Sequence, residues 1–157
     1  MNVELVDKGN EDNVLQITEW AWEPLRTMMS IANQLNAEEG KRFVKTERFI
    51  ELEDNSGHGI SVTFFCRDIA EKLKMLINDP MMLIDFGMTA DMEDGKFYFT
   101  YPIELCTNNI VDTVTSLIVA NKKDHKEENL KSMLRASETE AKELIEFLET
   151  CDGFYMP

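Results

Sequence analysis

His58, inside NSGHGI at 55–60, is the side chain best suited to moving protons near neutral pH, and it stands between two glycines. An enzyme built on it would need a nucleophile or an orienting carboxylate. Asp54 and Asp68 are the available carboxylates nearby, and the chain contains no G-x-S-x-G, H-E-x-x-H or P-loop pattern. The competing reading of the same residues is a tight turn, permitted by Gly57 and Gly59, that happens to carry a histidine. The other histidine, His125, lies in the charged stretch NKKDHKEEN.

Metal and thiol chemistry find little support. The run DMEDG supplies the hard oxygen ligands of Asp91, Glu93 and Asp94, but lacks the spaced ligands and closing glutamate of a calcium loop, so it reads as a solvated hairpin turn. Cys66, Cys106 and Cys151 are an odd number without C-x-x-C spacing, which argues against a disulfide framework or a zinc ribbon. Cys66 and Cys151 fall near apolar helix faces, where a free cysteine acts as a small hydrophobe. No catalytic residue, metal site or cofactor is therefore expected.

Charge is the more informative signal. Thirty acidic against sixteen basic residues leave a formal net charge of −14, which repels phosphates and anionic membranes at long range. Direct nucleic-acid binding is disfavoured. Residues 137–152 hold Glu138, Glu140, Glu143, Glu146, Glu149 and Asp152 against Lys142 alone, whereas 121–135 is slightly basic. The acidic run fits either a solvated helix face or a surface that docks a basic partner.

The elements that would carry these residues follow from periodicity. Leu25, Met28, Met29, Ala32 and Leu35 form a helical stripe, which predicts a helix over 23–36 with Pro24 in its first turn and Trp20 and Trp22 anchoring its start. Residues 40–54 follow neither period and read as an extended connection with room for one short strand. A second helix is expected over 61–78, with Phe65, Ile69, Leu73, Leu76 and Ile77 on one side and Ser61 or Thr63 as N-cap.

Alternation in KFYFTY, just after Asp94-Gly95, predicts a strand that could pair with 81–87 as a hairpin. A third helix is expected over 108–121. The fourth, over 138–151, opens on the capping box Ser137-x-x-Glu140, with Gly153 in position for a left-handed stop and Phe154 folding back on Leu148. The methionines, including Met28-Met29 and Met81-Met82, suit a core at helical spacing and also suit adaptable partner surfaces.

Together these features predict one α+β domain over 1–157, mainly helical, with about four helices and a small β-hairpin. The N-terminal MNVELVDKGNEDN is acidic and polar, and no stretch approaches the length of a membrane span. A soluble, unprocessed, cytoplasmic protein is the expectation, and oligomeric state is left open.

Two pieces of the chain also resemble the paired signatures of a group of uncharacterised bacterial proteins. N-S-G-H-G-I-S followed by I-A-x-x-L at 69–73 is similar to their N-D-G-x-G-I-S helix start, and the segment 137–154 is similar to their closing C-G-G-F stop. Trp20, Trp22, Leu25 and Asn33 are compatible with the tryptophan-bearing first helix of that group. Ser56 stands in place of its aspartate and Asp152 in place of the first glycine of the pair. The resemblance implies a fold, with Gly57, Gly59 and Gly153 in structural roles, and no reaction.

The leading functional expectation is an acidic protein-binding module of the inhibitor or immunity type. Glu138, Glu143, Glu146, Glu149 and Asp152 would neutralise a basic protein partner. A second reading is a nucleic-acid mimic that presents Glu138, Glu149 and Asp152 to a DNA-binding cleft. A third is a small enzyme using His58 as acid and base.

Overall fold

A computed structural model describes residues 2–52, 57–100 and 134–157. They form an α+β arrangement of five helices and two small antiparallel sheets. The expected helix over 108–121, together with Cys106 and His125, lies outside the described residues.

The chain begins with a hairpin that the sequence reading passed over as polar. β1 (Asn2–Asp7) and β2 (Asn10–Thr18) pair with Val3 opposite Ile17 and Leu5 opposite Leu15, so their apolar residues share one face. β2 leads straight into α1 (Glu19–Glu38), whose N-cap Thr18 accepts a hydrogen bond from the Ala21 N–H. The helix thus starts four residues earlier than expected. Pro24 falls in its second turn rather than its first, and Trp20 and Trp22 belong to the helix itself. Leu25, Met28, Met29 and Ala32 are fully buried, as the stripe requires.

Residues 40–52 contain no strand. After an extended stretch they form α2 (Thr46–Glu51), tied to α1 by polar side chains. The Asn33 amide donates to the Val44 carbonyl and accepts from the Val44 N–H, both at 2.7 Å. Arg26 donates to the Phe49 carbonyl at 2.8 Å, and the Trp22 indole donates to the Leu52 carbonyl at 3.3 Å. Arg26 is itself held by buried Glu23 through a forked ion pair. Three side chains of one helix therefore fix the backbone of a segment too short to show its own period.

β3 (Gly59–Ile60) precedes α3 (Thr63–Asn78). The expected hydroxyl cap is replaced: Val62 occupies the N-cap position, and no side chain among the described residues caps the helix start. Residues 81–87 do not pair as a strand. Met81–Ile84 make a single helical turn, α4, after Pro80. The hairpin instead joins β4 (Thr89–Glu93) to β5 (Lys96–Thr100). Its turn residues Asp94 and Gly95 both take positive φ, as a tight two-residue hairpin turn demands. β6 (Arg135–Ser137) adds to β5.

β6 runs directly into α5 (Glu138–Thr150), where the Ser137–Glu140 capping box forms in full. Such a cap contributes about 1 kcal/mol. α5 packs on α3, and α3 packs on α1. Gly153 takes the expected left-handed conformation, φ 79°, but one position later than a left-handed stop would place it. Cys151 is the C-cap in an extended conformation, and Gly153, two residues beyond, turns the chain into β7 (Phe154–Tyr155). Phe154 meets Phe147 edge to face at 6.2 Å between centroids.

β7 lies between β1 and β3, giving the sheet order β2-β1-β7-β3. A mainly helical domain with one hairpin is thus replaced by three long helices set against two sheets. The difference arises because β3, β6 and β7 are only two or three residues long and the β1–β2 hairpin is too polar to announce itself. No described helix is long and apolar enough to cross a membrane.

Candidate functional site

The structure sorts the five acidic residues expected to bind a partner. Glu138 is paired with Lys142 one turn along α5 at 3.0 Å, and Glu149 is paired with Lys74 of α3 at 2.8 Å. Glu143 and Glu146 are exposed and make no ion pair among the described residues. Asp152 is exposed, and its backbone N–H donates to the Asp7 carboxylate at 2.9 Å. Of the three carboxylates that a nucleic-acid mimic would present, two are therefore neutralised by lysines.

Sequence reasoning missed that α5 packs against β2, whose residues Glu11 and Asp12 are also exposed and without an ion pair among the described residues. The unpaired carboxylates of α5 and β2 thus belong to packed neighbours. The acids of DKGNEDN are visible in the sequence, but only the hairpin sets the strand that bears Glu11 and Asp12 against the C-terminal helix. A cleft of about 360 Å³ between α3 and α5 is lined in part by Lys74, Lys142 and Glu149, which carries these two ion pairs onto its walls.

One end of α5 closes on a junction that holds this face in place. Asp7, only 4% exposed, accepts hydrogen bonds from the Gly9 N–H, the Asn13 amide and the Asp152 N–H. Burial alone would raise its pKa, but these bonds outweigh it and hold the carboxyl below its ordinary value. Opposite, the two resembling motifs meet, since β3 pairs directly with β7. A Cβ on Gly59 would lie 2.0 Å from the Phe154 carbonyl oxygen, and one on Gly153 would lie 2.7 Å from the Ser61 carbonyl oxygen. These glycines are required by close backbone approach.

Cys66 and Cys151 are both buried at this junction. The hydrogen bond between them and their burial push the Cys66 thiol well up, so it stays protonated, in keeping with an inert core position.

His58 sits at the entrance to the same junction. Its backbone carbonyl accepts from the Met156 N–H at 2.7 Å, and its imidazole Nδ1 lies 3.6 Å from a Glu51 carboxylate oxygen. Glu51 was not one of the carboxylates singled out from the sequence, and the structure pairs neither Asp68 nor any described nucleophile with the ring. Asp54 lies outside the described residues. Among the described residues no group of three or more His, Cys, Asp or Glu is placed to hold a metal ion. Asp91 and Glu93 lie on β4 with Asp94 in its turn, and Glu93 is engaged by Arg135 at 2.8 Å.

No family model, no curated protein and no solved structure matches the chain.

Proposed function

We propose that this protein is a non-catalytic binding module that captures a basic protein partner, in the manner of an inhibitor or immunity protein. The observation that carries the reading is the contrast on α5. Glu143 and Glu146 are exposed and unpaired among the described residues, and the helix packs against a strand bearing Glu11 and Asp12 in the same state. Carboxylates already neutralised by lysine gain little from a new cation, because the existing pair must first be broken. Unpaired ones offer their full attraction.

In a molecule of net charge −14, such a face would speed encounter with a basic surface and lose strength as salt rises. The closed junction of Asp7, Gly59 and Gly153 supports this reading by tying the end of α5 to β1, so that the backbone of the helix needs no rearrangement on binding.

The test is affinity capture from the source organism at low salt, using wild-type protein and a Glu143→Lys/Glu146→Lys variant as baits. The reading expects a basic protein that is recovered by the wild type, retained poorly by the variant and released by salt. Equal recovery on both baits would remove Glu143 and Glu146 from the interface. A Glu138→Lys/Glu149→Lys variant serves as comparison and should lose less binding.

A further inference from the structure

We propose that the free edge of β3, with the groove beside it, binds an extended peptide segment of a partner protein, taking an apolar side chain into the groove and an acidic one beside Lys45 and Arg48. The site lies at the opposite edge of the sheet from the acidic face and does not depend on it.

Three observations converge there. Among the described residues β3 has a neighbour on one side only, since the sheet ends β7-β3. The His58 carbonyl points toward β7, where it accepts from Met156, so alternation along an antiparallel strand turns the N–H and C=O of Gly59 the other way. No backbone hydrogen bond among the described residues is made on that outer side. The exposed edge therefore offers a donor and an acceptor to an incoming strand.

Beside that edge runs a groove of about 320 Å³ whose walls include Phe43, Ile60, Val62 and Phe65. Phe43 is 53% exposed and Val62 40% exposed, so apolar surface is available to a ligand side chain. The far wall is preorganised, because Asn33 clamps Val44 through both of its backbone groups.

The third observation is charge. Lys45 and Arg48 line the groove in a molecule whose overall charge is −14. Lys45 makes no ion pair among the described residues, and Arg48 is engaged only with exposed Glu51 at 3.1 Å. The charged residues that line the groove are these two cations, whereas the carboxylates of Glu47 and Glu51 on α2 lie outside its lining, so a ligand inside the groove meets the cations first. An apolar residue flanked by acid is the sequence that fits all three features.

The experiment uses the full chain and three capped pentapeptides: Glu-Val-Phe-Val-Glu, its Lys-flanked counterpart, and the Glu-flanked peptide with its alternate amides N-methylated. Binding is read by fluorescence polarisation and by amide resonances of ¹⁵N-labelled protein. The Glu-flanked peptide should bind at least tenfold more tightly than either of the others and shift Gly59, Ile60 and Val62.

Lys45→Glu/Arg48→Glu, at exposed positions, should reverse the charge preference while leaving the melting curve in place. Phe43→Ser should weaken binding at least fivefold. Equal affinity for both flanks, insensitivity to N-methylation, resonance shifts confined to α5 and β2, or no binding of any peptide at millimolar concentration would each overturn the proposal. So would a concentration-dependent dimer that shifts the β3 resonances without peptide, which would give this edge to a second copy of the chain.

Discussion

The four-stranded sheet ends in two edges that have little in common. Its β2 edge is nine residues long, carries Glu11 and Asp12 and has α5 packed against it. Its β3 edge is two residues long, opens on an apolar groove and is flanked by Lys45 and Arg48. Unpaired edges invite unwanted pairing, and charge and brevity are two ways to limit it. One edge carries acidic side chains, and the other is short enough to admit only a brief partner strand. The difference teaches that a net charge of −14 describes the molecule poorly at close range. Carboxylates stand exposed on one edge and cations line the groove at the other, with β1 and β7 between them.

The largest way to break this contrast is to open the junction. Gly59→Val puts a side chain where even a Cβ would lie 2.0 Å from the Phe154 carbonyl oxygen, so β3 and β7 must separate. A loss on the order of 3 kcal/mol or more is expected by chemical denaturation, together with loss of the β3 edge as a defined surface. A variant that melted like the wild type would mean that the motif glycines are not needed for the pairing.

Asp7→Asn comes next. It keeps the shape but weakens the acceptor for three N–H donors, at a cost of about 1–3 kcal/mol. Because the folded pKa is depressed, the stabilisation from Asp7 is present above its ordinary value of 3.8 and is lost as pH falls through the lower folded value. The stability gap between wild type and variant should therefore be full at neutral pH and narrow in acid below about pH 4. A gap independent of pH would show that the charge of Asp7 is not what the junction uses.

Reversing Glu143 and Glu146 to lysine should do the opposite, changing stability by less than about 0.5 kcal/mol while abolishing salt-sensitive capture of a basic partner. A large loss of stability there would mean that the face is structural rather than open. His58→Ala should leave partner capture unchanged and shift stability only slightly by chemical denaturation. Its only side-chain partner among the described residues is Glu51 at 3.6 Å on a partly exposed surface, worth at most about 1 kcal/mol.

Much of this arrangement could be read from residue order, and the failures are physical. α1, α3 and α5 were legible because each buries a long stripe, and repetition over three or more turns makes a period visible. The Ser137–Glu140 box and the Asp94-Gly95 turn were legible because each depends only on residues within a few positions of one another. α2 was not, since six residues show no period and its backbone is held by Asn33, Arg26 and Trp22 from a distant helix. The β1–β2 hairpin escaped because its polar turn and outward acids masked the Val3, Leu5, Leu15 and Ile17 alternation. The hairpin expected from 81–87 failed because Met81–Ile84 close a helical turn and Thr89–Glu93 pair instead.

The candidate site divides in the same way. Sequence alone determined that acids crowd α5, that glycines bracket His58 and that the long helices bury one face, because composition, conformational freedom and periodicity are properties of residues and their near neighbours. Only the tertiary structure decided which carboxylates remain unpaired, because Lys74 reaches Glu149 from another helix. It also decided that Gly59 and Gly153 serve a single contact, and that Lys45 and Arg48 flank an open strand edge. Each of these depends on atoms brought together from far along the chain, and no local pattern records that meeting.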